Sequence, residues 1–342
     1  MLISVTPLPL ELRHPFRIAH GTSTIRHNAL VQIGSGYGEA ALPPYYPTTF
    51  DEVEDYVSSN ADLITACVSD PDFSITTLID SLPFGPTPAL AAIDMALHDL
   101  FGQRLNAPLF KIFGLDPNRI PHSTYALPIP TSLNHLDEQL DDVIHFPFLK
   151  LKIGSGDVEF DKAIVRHTRE RFAGRLCVDV NSGWSIDTAI HAIKDLQDCT
   201  LEFVEQPIQA DDIDDWHLLK RLLPDGGPPL IADESVQGPD QILELAGAAD
   251  GINIKLAKCG GIQVARQMIS LARSLDLSVM LGCMIESSVA LTAAAHLGAL
   301  VDYLDLDGQL HLAQDPFEGL TFDAGKIRLP KRPGLGVRPR ST

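Results

Sequence analysis

FLKLKIG (residues 148–154) opens a rhythm that the following residues repeat. LCVDVN (176–181), LEFVEQP (201–207), PLIADES (229–235) and GINIKLAK (251–258) come after it, each a short apolar run of strand type with charge at its polar end. The charged positions are Lys150 and Lys152, Asp179, Glu205, Asp233 and Lys255. Between the runs lie amphipathic stretches such as DVEFDKAIVRHTRERF (157–172) and GGIQVARQMISLARSLD (260–276), whose apolar residues recur at helical spacing. Strand and helix in strict alternation predict a parallel barrel, in which every strand points its C-terminal end into one mouth.

Working outward, strands are expected at 122–127, 147–152, 175–180, 201–205, 229–233, 251–255, 277–282 and 302–306. The chain before them has a different character. Residues 2–10 and 29–33 read as strands of an antiparallel sheet, and GSGYGEAALPPYYP (34–47) as turn and loop because of its Gly and Pro. Residues 51–67 and 86–105 have helical periodicity, the second starting at Thr87-Pro88. This order predicts an α+β domain over 1–118 and a barrel over 119–311. The irregular segment 312–342, with PGLGV at 333–337, is expected to return to the first domain and complete it. A length of 342 residues suits one barrel of roughly 200–250 residues plus a smaller domain.

The net charge of −19 argues against nucleic acid as a partner. No apolar run approaches the roughly 18–20 residues of a membrane span. The start, MLISVTPLPLELRHPF, lacks the layout of a signal peptide, and the five cysteines are scattered without a CxxC pair. Reduced thiols and a cytoplasmic location are expected.

Lys150 and Lys152 are two apart, so both point to one side of their strand. Neighbouring ammonium groups lower one another's pKa, which is what a general base needs near neutral pH. An exposed edge strand would also carry KxK, but a central barrel strand makes inward lysines expensive without a use. Asp179, Glu205 and Asp233 end three successive strands, and three carboxylates in register suit Mg²⁺, although one alone would be an ordinary helix cap. Asn181 shares the face of Asp179 and Glu234 points away from Asp233, so both are expected to support the acids from behind. Lys255 faces Lys152 across the mouth as a second base. Lys258 reads as an exposed loop charge and Glu202 as solvated. Glu286 is placed to order Lys255 or a metal-bound water. Asp305 and Asp307 form a carboxylate pair that lacks a neighbouring cation and so invites a substrate ammonium group. Asp307-Gly308 is also turn chemistry, which leaves Asp305 unexplained.

Taken together, KLK (150–152), VDVN (178–181), VEQP (204–207), ADES (232–235), NIKLAKCGG (253–261) and PGLGV (333–337) resemble the muconate-lactonizing subgroup of the enolase superfamily. DLD (305–307) is similar to the mark of its dipeptide epimerases. The resemblance implies a (β/α)7β barrel with an N-terminal α+β capping domain, and an isomerase with one Mg²⁺ per subunit held by Asp179, Glu205 and Asp233. It implies that Lys152 and Lys255 exchange the α-proton of the C-terminal residue of an L,L-dipeptide through an enediolate, supported by Lys150. Asp305 and Asp307 would hold the free α-ammonium. A homo-oligomer is left open. Family members acting on Ala-Glu place an arginine in the first-domain loop, where this chain has Gly21 beside His20. A neutral or hydrophobic second residue is therefore expected, with His20 and Arg17 as capping contacts and Arg17 or Arg26 as substitutes for the missing cation.

Other readings share some of these residues. An N-acylamino acid racemase, a cycloisomerase or an acid-sugar dehydratase would use the same lysines and acids but would not need Asp305 and Asp307. A non-catalytic ligand-binding barrel would be expected to lack one of the acids or lysines. A metal-dependent hydrolase would want histidines at the strand ends, where there are none.

Overall fold

The computed structural model describes residues 2–210, 213–224 and 226–341. Its first unit is a three-stranded antiparallel sheet of β1 (Ile3–Ile18), β2 (Gly21–Ile33) and β3 (Gly36–Ala40), in that order. Four helices follow, α1 (Phe50–Ser59), α2 (Ala61–Ser69), α3 (Ile75–Ser81) and α4 (Thr87–Arg104), with a short α5 (Leu109–Ile112) leading out. The β1–β2 hairpin is longer than expected, and a register shift between Glu11 and Phe16 bends its tip.

The segment 34–47 is not wholly loop, because β3 runs through its centre. Its glycines are there for close packing. A Cβ on Gly36 would lie 2.1 Å from the Ala96 carbonyl oxygen, and one on Gly38 would lie 1.9 Å from that of Ala92. Only glycine lets α4 lie directly on the strand. Helix α4 is in turn buried almost all round, since it is held between this sheet and the barrel.

The second unit is an eight-stranded parallel sheet: β4 (Tyr125–Leu127), β5 (Phe148–Lys152), β6 (Arg175–Asp179), β7 (Val204–Glu205), β8 (Leu230–Ala232), β9 (Gly251–Ile254), β10 (Ser278–Gly282) and β11 (Tyr303–Asp305). Each strand pairs with its sequence neighbour, and a parallel bridge between Ser123 and Leu304 brings the two ends together into a barrel. Outside it run α6 (Leu133–Val143), α7 (Val158–Arg171), α8 (Ile186–Asp195), α9 (Ile213–Leu222), α10 (Pro239–Leu245), α11 (Leu256–Cys259), α12 (Ile262–Ser274) and α13 (Ser288–Ala295). The five cysteines are free thiols. No helix among the described residues is long and apolar enough to cross a membrane.

The C-terminal segment docks where the units meet. The Leu335 amide donates to Asp99 of α4 (2.8 Å), and the Gly334 carbonyl accepts from Leu109 of α5 (3.0 Å). His296, capping α13, completes the joint. Its Nδ1 accepts from the Phe110 amide (3.2 Å), and its Nε2 donates to the Leu335 carbonyl (3.1 Å).

Two predictions follow from this packing. Gly38→Ala should cost about 1–3 kcal/mol or more, read as a lower denaturation midpoint. Burial pulls His296 down to about 4, against an ordinary value of 6.5. The unfolded chain therefore takes up the proton first on acidification. The stabilising preference for neutral His296 is full above about pH 6.5 and is lost as pH falls toward 4, by on the order of 3 kcal/mol. Chemical denaturation of wild type and His296→Gln over that range should show a shallower decline in the variant.

Candidate active site

The strand registers bring the sequence-predicted charges together. Lys152 on β5 is aligned with Asp179 on β6, and Asp179 with Glu205 on β7. Carboxylate oxygens of Asp179, Glu205 and Asp233 all lie within 4.8 Å of one another, and all three residues are buried. Lys150, fully buried, stands among them. Its ammonium is 3.0 Å from Asp179, 2.7 Å from Glu205 and 2.7 Å from Asp305. Lys152 Nζ donates to Asp179 (2.6 Å) and Lys255 Nζ to Asp233 (2.7 Å).

This pairing reverses one expectation. Burial pulls Lys152 down, and Lys150 works in the same direction, but the Asp179 carboxylate outweighs them and its pKa is raised. Lys255 is likewise raised well above its ordinary range, with Asp233 overcoming burial. Among the acids, burial and the neighbouring Asp179 push Glu205 up to about 8. One buried Glu205 oxygen, Oε2, has no hydrogen-bond partner, although it lies beside the Lys150 ammonium.

Four further expectations need correction. Lys258 is no exposed loop charge. It is buried, and its ammonium donates to the Asp233 carboxylate (2.6 Å) and to the Asn253 carbonyl (3.2 Å). The tight turn of α11 folds it back under the mouth. Asp305 does not lack a cation, since Lys150 reaches it from β5, one strand beyond β4, and Thr124 donates to its other oxygen. Asp307 lies beyond the strand, where its Oδ2 accepts from the Ala126 amide and approaches His311 (3.0 Å). Glu286 makes no bond to Lys255. It accepts from the Met284 amide, and burial with Glu39 nearby pushes it up to about 8. Arg17 lines a different cavity, with His14, Tyr125 and His135, behind Phe16 and His311.

The supporting residues behave partly as expected. Asn181 is in the left-handed region (φ 46°), so its amide turns back to donate to Asp179 (2.9 Å) while its side chain donates to Glu234 (3.0 Å). Glu234 therefore holds Asn181, which in turn holds Asp179. His20 is at the rim, 3.6 Å from Glu234 and stacked on Tyr45. Glu202 is part of an exposed pair with Arg175 (2.7 Å).

One cavity is lined by Lys152, Lys255, Asn181, Asp305 and Asp307 from the barrel, and by Phe16, Ile18, Arg26 and Tyr45 from the first unit. Met284 and Ile285 add apolar wall. Gly21, at the hairpin tip, is exposed and meets nothing. Of the two arginines considered as substitutes for a cation there, Arg26 faces the cavity. Its signal in the sequence was alternation along β2, which puts it on the face of Asn28. Tyr45 and Glu39 lay in the stretch read as loop and carried no such signal.

Residues 3–114 match the family model described as mandelate racemase / muconate lactonizing enzyme, N-terminal domain, and residues 135–342 match the one described as enolase C-terminal domain-like. An L-Ala-D/L-Glu epimerase of Bacteroides thetaiotaomicron is 36% identical over 98% of this chain and 88% of its own length. A hydrophobic dipeptide epimerase of Roseobacter litoralis is 34% identical over 96% of each chain. The structure of a dipeptide epimerase from Cytophaga hutchinsonii, complexed with Mg and the dipeptide D-Ala-L-Val, has a TM-score of 0.89 at 26% identity, covering 99% of this chain and 96% of that one.

Lys258→Met separates the buried pair from an exposed one. The variant should lose on the order of 3 kcal/mol of unfolding free energy without added divalent cation, because Asp233 keeps its charge and loses a partner. An exposed lysine would give a change of about 0.5 kcal/mol or less.

Proposed function

The chain belongs to the mandelate racemase / muconate lactonizing enzyme family of the enolase superfamily and, within it, to the dipeptide epimerases, and we propose that it inverts the α-carbon of the C-terminal residue of an L,L-dipeptide by two-base proton transfer. The observation that carries this reading is the opposed pair Lys152 and Lys255. They enter one cavity from β5 and from the end of β9, each bonded to a different acid of the buried triad.

Asp179, Glu205 and Asp233 suit a hard divalent cation, Mg²⁺, by donor type and by the close approach of three buried carboxylates. Bound there, the cation would supply positive charge for the substrate carboxylate; Asp179 and Asp233 are the acids that pair with Lys152 and Lys255. Lys152 removes the α-proton from one face, Lys255 returns one to the other, and the roles swap in reverse. Lys150 keeps the acids in place and adds positive charge near the developing oxyanion. Asp305 and Asp307 receive the free α-ammonium at the far end of the cavity. Asn181 and Glu234 brace Asp179.

That ammonium site supports a dipeptide over an N-acylamino acid, an acid sugar or a cycloisomerase substrate, none of which brings a cation to Asp305 and Asp307. Gly21 and the apolar wall of Ile18, Met284 and Ile285 support a neutral or hydrophobic second residue. Arg26 supports an acidic one.

The test is α-proton exchange in D₂O with Mg²⁺, over L,L-dipeptides and their N-acetylated counterparts. Exchange should be confined to the free amines. Lys152→Ala and Lys255→Ala should each reduce epimerisation by about 10³-fold or more, with unchanged circular dichroism, while each still exchanges one substrate stereoisomer. Full activity in both variants would remove the two-base assignment. Exchange of the acetylated compounds alone would make the enzyme an N-acylamino acid racemase.

A further inference from the structure

We propose that Arg26 sets the substrate class, receiving a carboxylate on the second residue's side chain, so that the preferred dipeptides end in an acidic residue. The inference deepens the dipeptide reading and rests on it.

Arg26 is the one cation of the mouth without a counter-ion among the described residues. Lys150, Lys152, Lys255 and Lys258 each have a carboxylate within 3.0 Å. Arg26 is 7% exposed, yet it makes no ion pair, and its buried Nε has no hydrogen-bond partner. Its neighbour is the Tyr45 ring, 5.9 Å from the guanidinium carbon, a weak cation–π contact at that range. Burying a guanidinium without an anion is costly. In the same cavity, an arriving carboxylate would recover that cost through a forked pair.

Substrate geometry selects which carboxylate this is. With its proton removed, the α-carbon is planar, with Lys152 above and Lys255 below. Three substituents remain in the plane. The α-carboxylate belongs to the acid triad at the barrel floor. The peptide nitrogen leads to the first residue, whose ammonium belongs to Asp305 and Asp307. The third direction is the side chain, and the wall left for it is the capping sheet, with Ile18, Arg26 and Tyr45. Gly21 leaves the hairpin tip without a charge, and Arg26 supplies one from within β2. The neutral-residue expectation rested on position 21 alone.

The experiment compares kcat/KM for L-Ala-L-Glu, L-Ala-L-Gln and L-Ala-L-Met with Mg²⁺ present. Glutamine matches glutamate in shape and removes only the charge. Wild type should favour Glu over Gln and Met by on the order of 10²-fold or more. Arg26→Met should bring the Glu/Gln ratio to within about threefold of one, and Arg26→Lys should restore part of it. A structural role for Arg26 would lower all three substrates alike and leave the ratio standing, which overturns the proposal. So does a wild type that prefers Gln or Met, a result that needs no variant to fold. If only N-acetylated amino acids are turned over, the dipeptide reading fails. The same Glu-over-Gln comparison within that series still decides whether Arg26 reads a side-chain carboxylate.

Discussion

Lys150 is the interaction on which the mouth of the barrel depends. Its ammonium holds carboxylates from β6, β7 and β11 together in a volume from which water is excluded. Three buried acids at that spacing would not all stay ionised unaided, because each raises the others. Even with Lys150 in place, Glu205 is pushed up to about 8. Lys150 therefore keeps the triad assembled before any cation arrives. Lys152, Lys255 and Lys258 complete the local balance, so four lysines stand among the acids of the mouth inside a chain of net charge −19. Net charge thus says nothing of the substrate's sign.

The capping unit is fastened to this centre by acids at helix N-termini. Glu39 of β3 has no cation. It accepts from the Ser287 amide and hydroxyl and from the Ala290 amide, at the start of α13, and from the Asn28 side chain. Asp94 of α4 accepts from the Ile262 amide, the first residue of α12. Each supplies a carboxylate where unsatisfied amides and the helix dipole favour one. Asn28 adds a bond to the Ile285 carbonyl. Asn28 and Arg26 are two apart on β2, so the fastening that fixes one also fixes the position of the other over the cavity.

The barrel was legible because its signal repeats. Five strands ended on charge at regular spacing, and alternation put those charges inward. The shared face of Lys150 and Lys152 and the register of Asp179 with Glu205 both needed only strand geometry. What was missed depended on contacts distant in sequence. Gly36 and Gly38 read as turn residues, since nothing local indicates that α4 will press on them. Lys258 read as a surface charge, since its partner Asp233 lies one βα unit earlier. Lys150 and Asp305 are 155 residues apart and meet only because the barrel closes, so the DLD stretch seemed to have no cation. The lysine pKa values went the wrong way for the same reason: the like-charge neighbour was visible in the sequence, and the carboxylates that outweigh it were not.

This division also bears on specificity. The charges of the cavity come from barrel strand ends, while its opposite wall comes from β1, β2 and the loop after β3. Two relatives at similar identity, 36% and 34%, are named for glutamate and for hydrophobic dipeptides. Identity at that level therefore does not decide the second residue, because a few capping positions can change while the barrel remains. A cation located there carries more information than the rest of the wall. Apolar contacts such as Ile18 and Met284 tolerate many side chains at a cost of about 1–3 kcal/mol per methylene. A buried, unpaired guanidinium penalises every substrate that fails to bring it an anion. Where a site contains both, the charge determines the class and the apolar wall determines the fit.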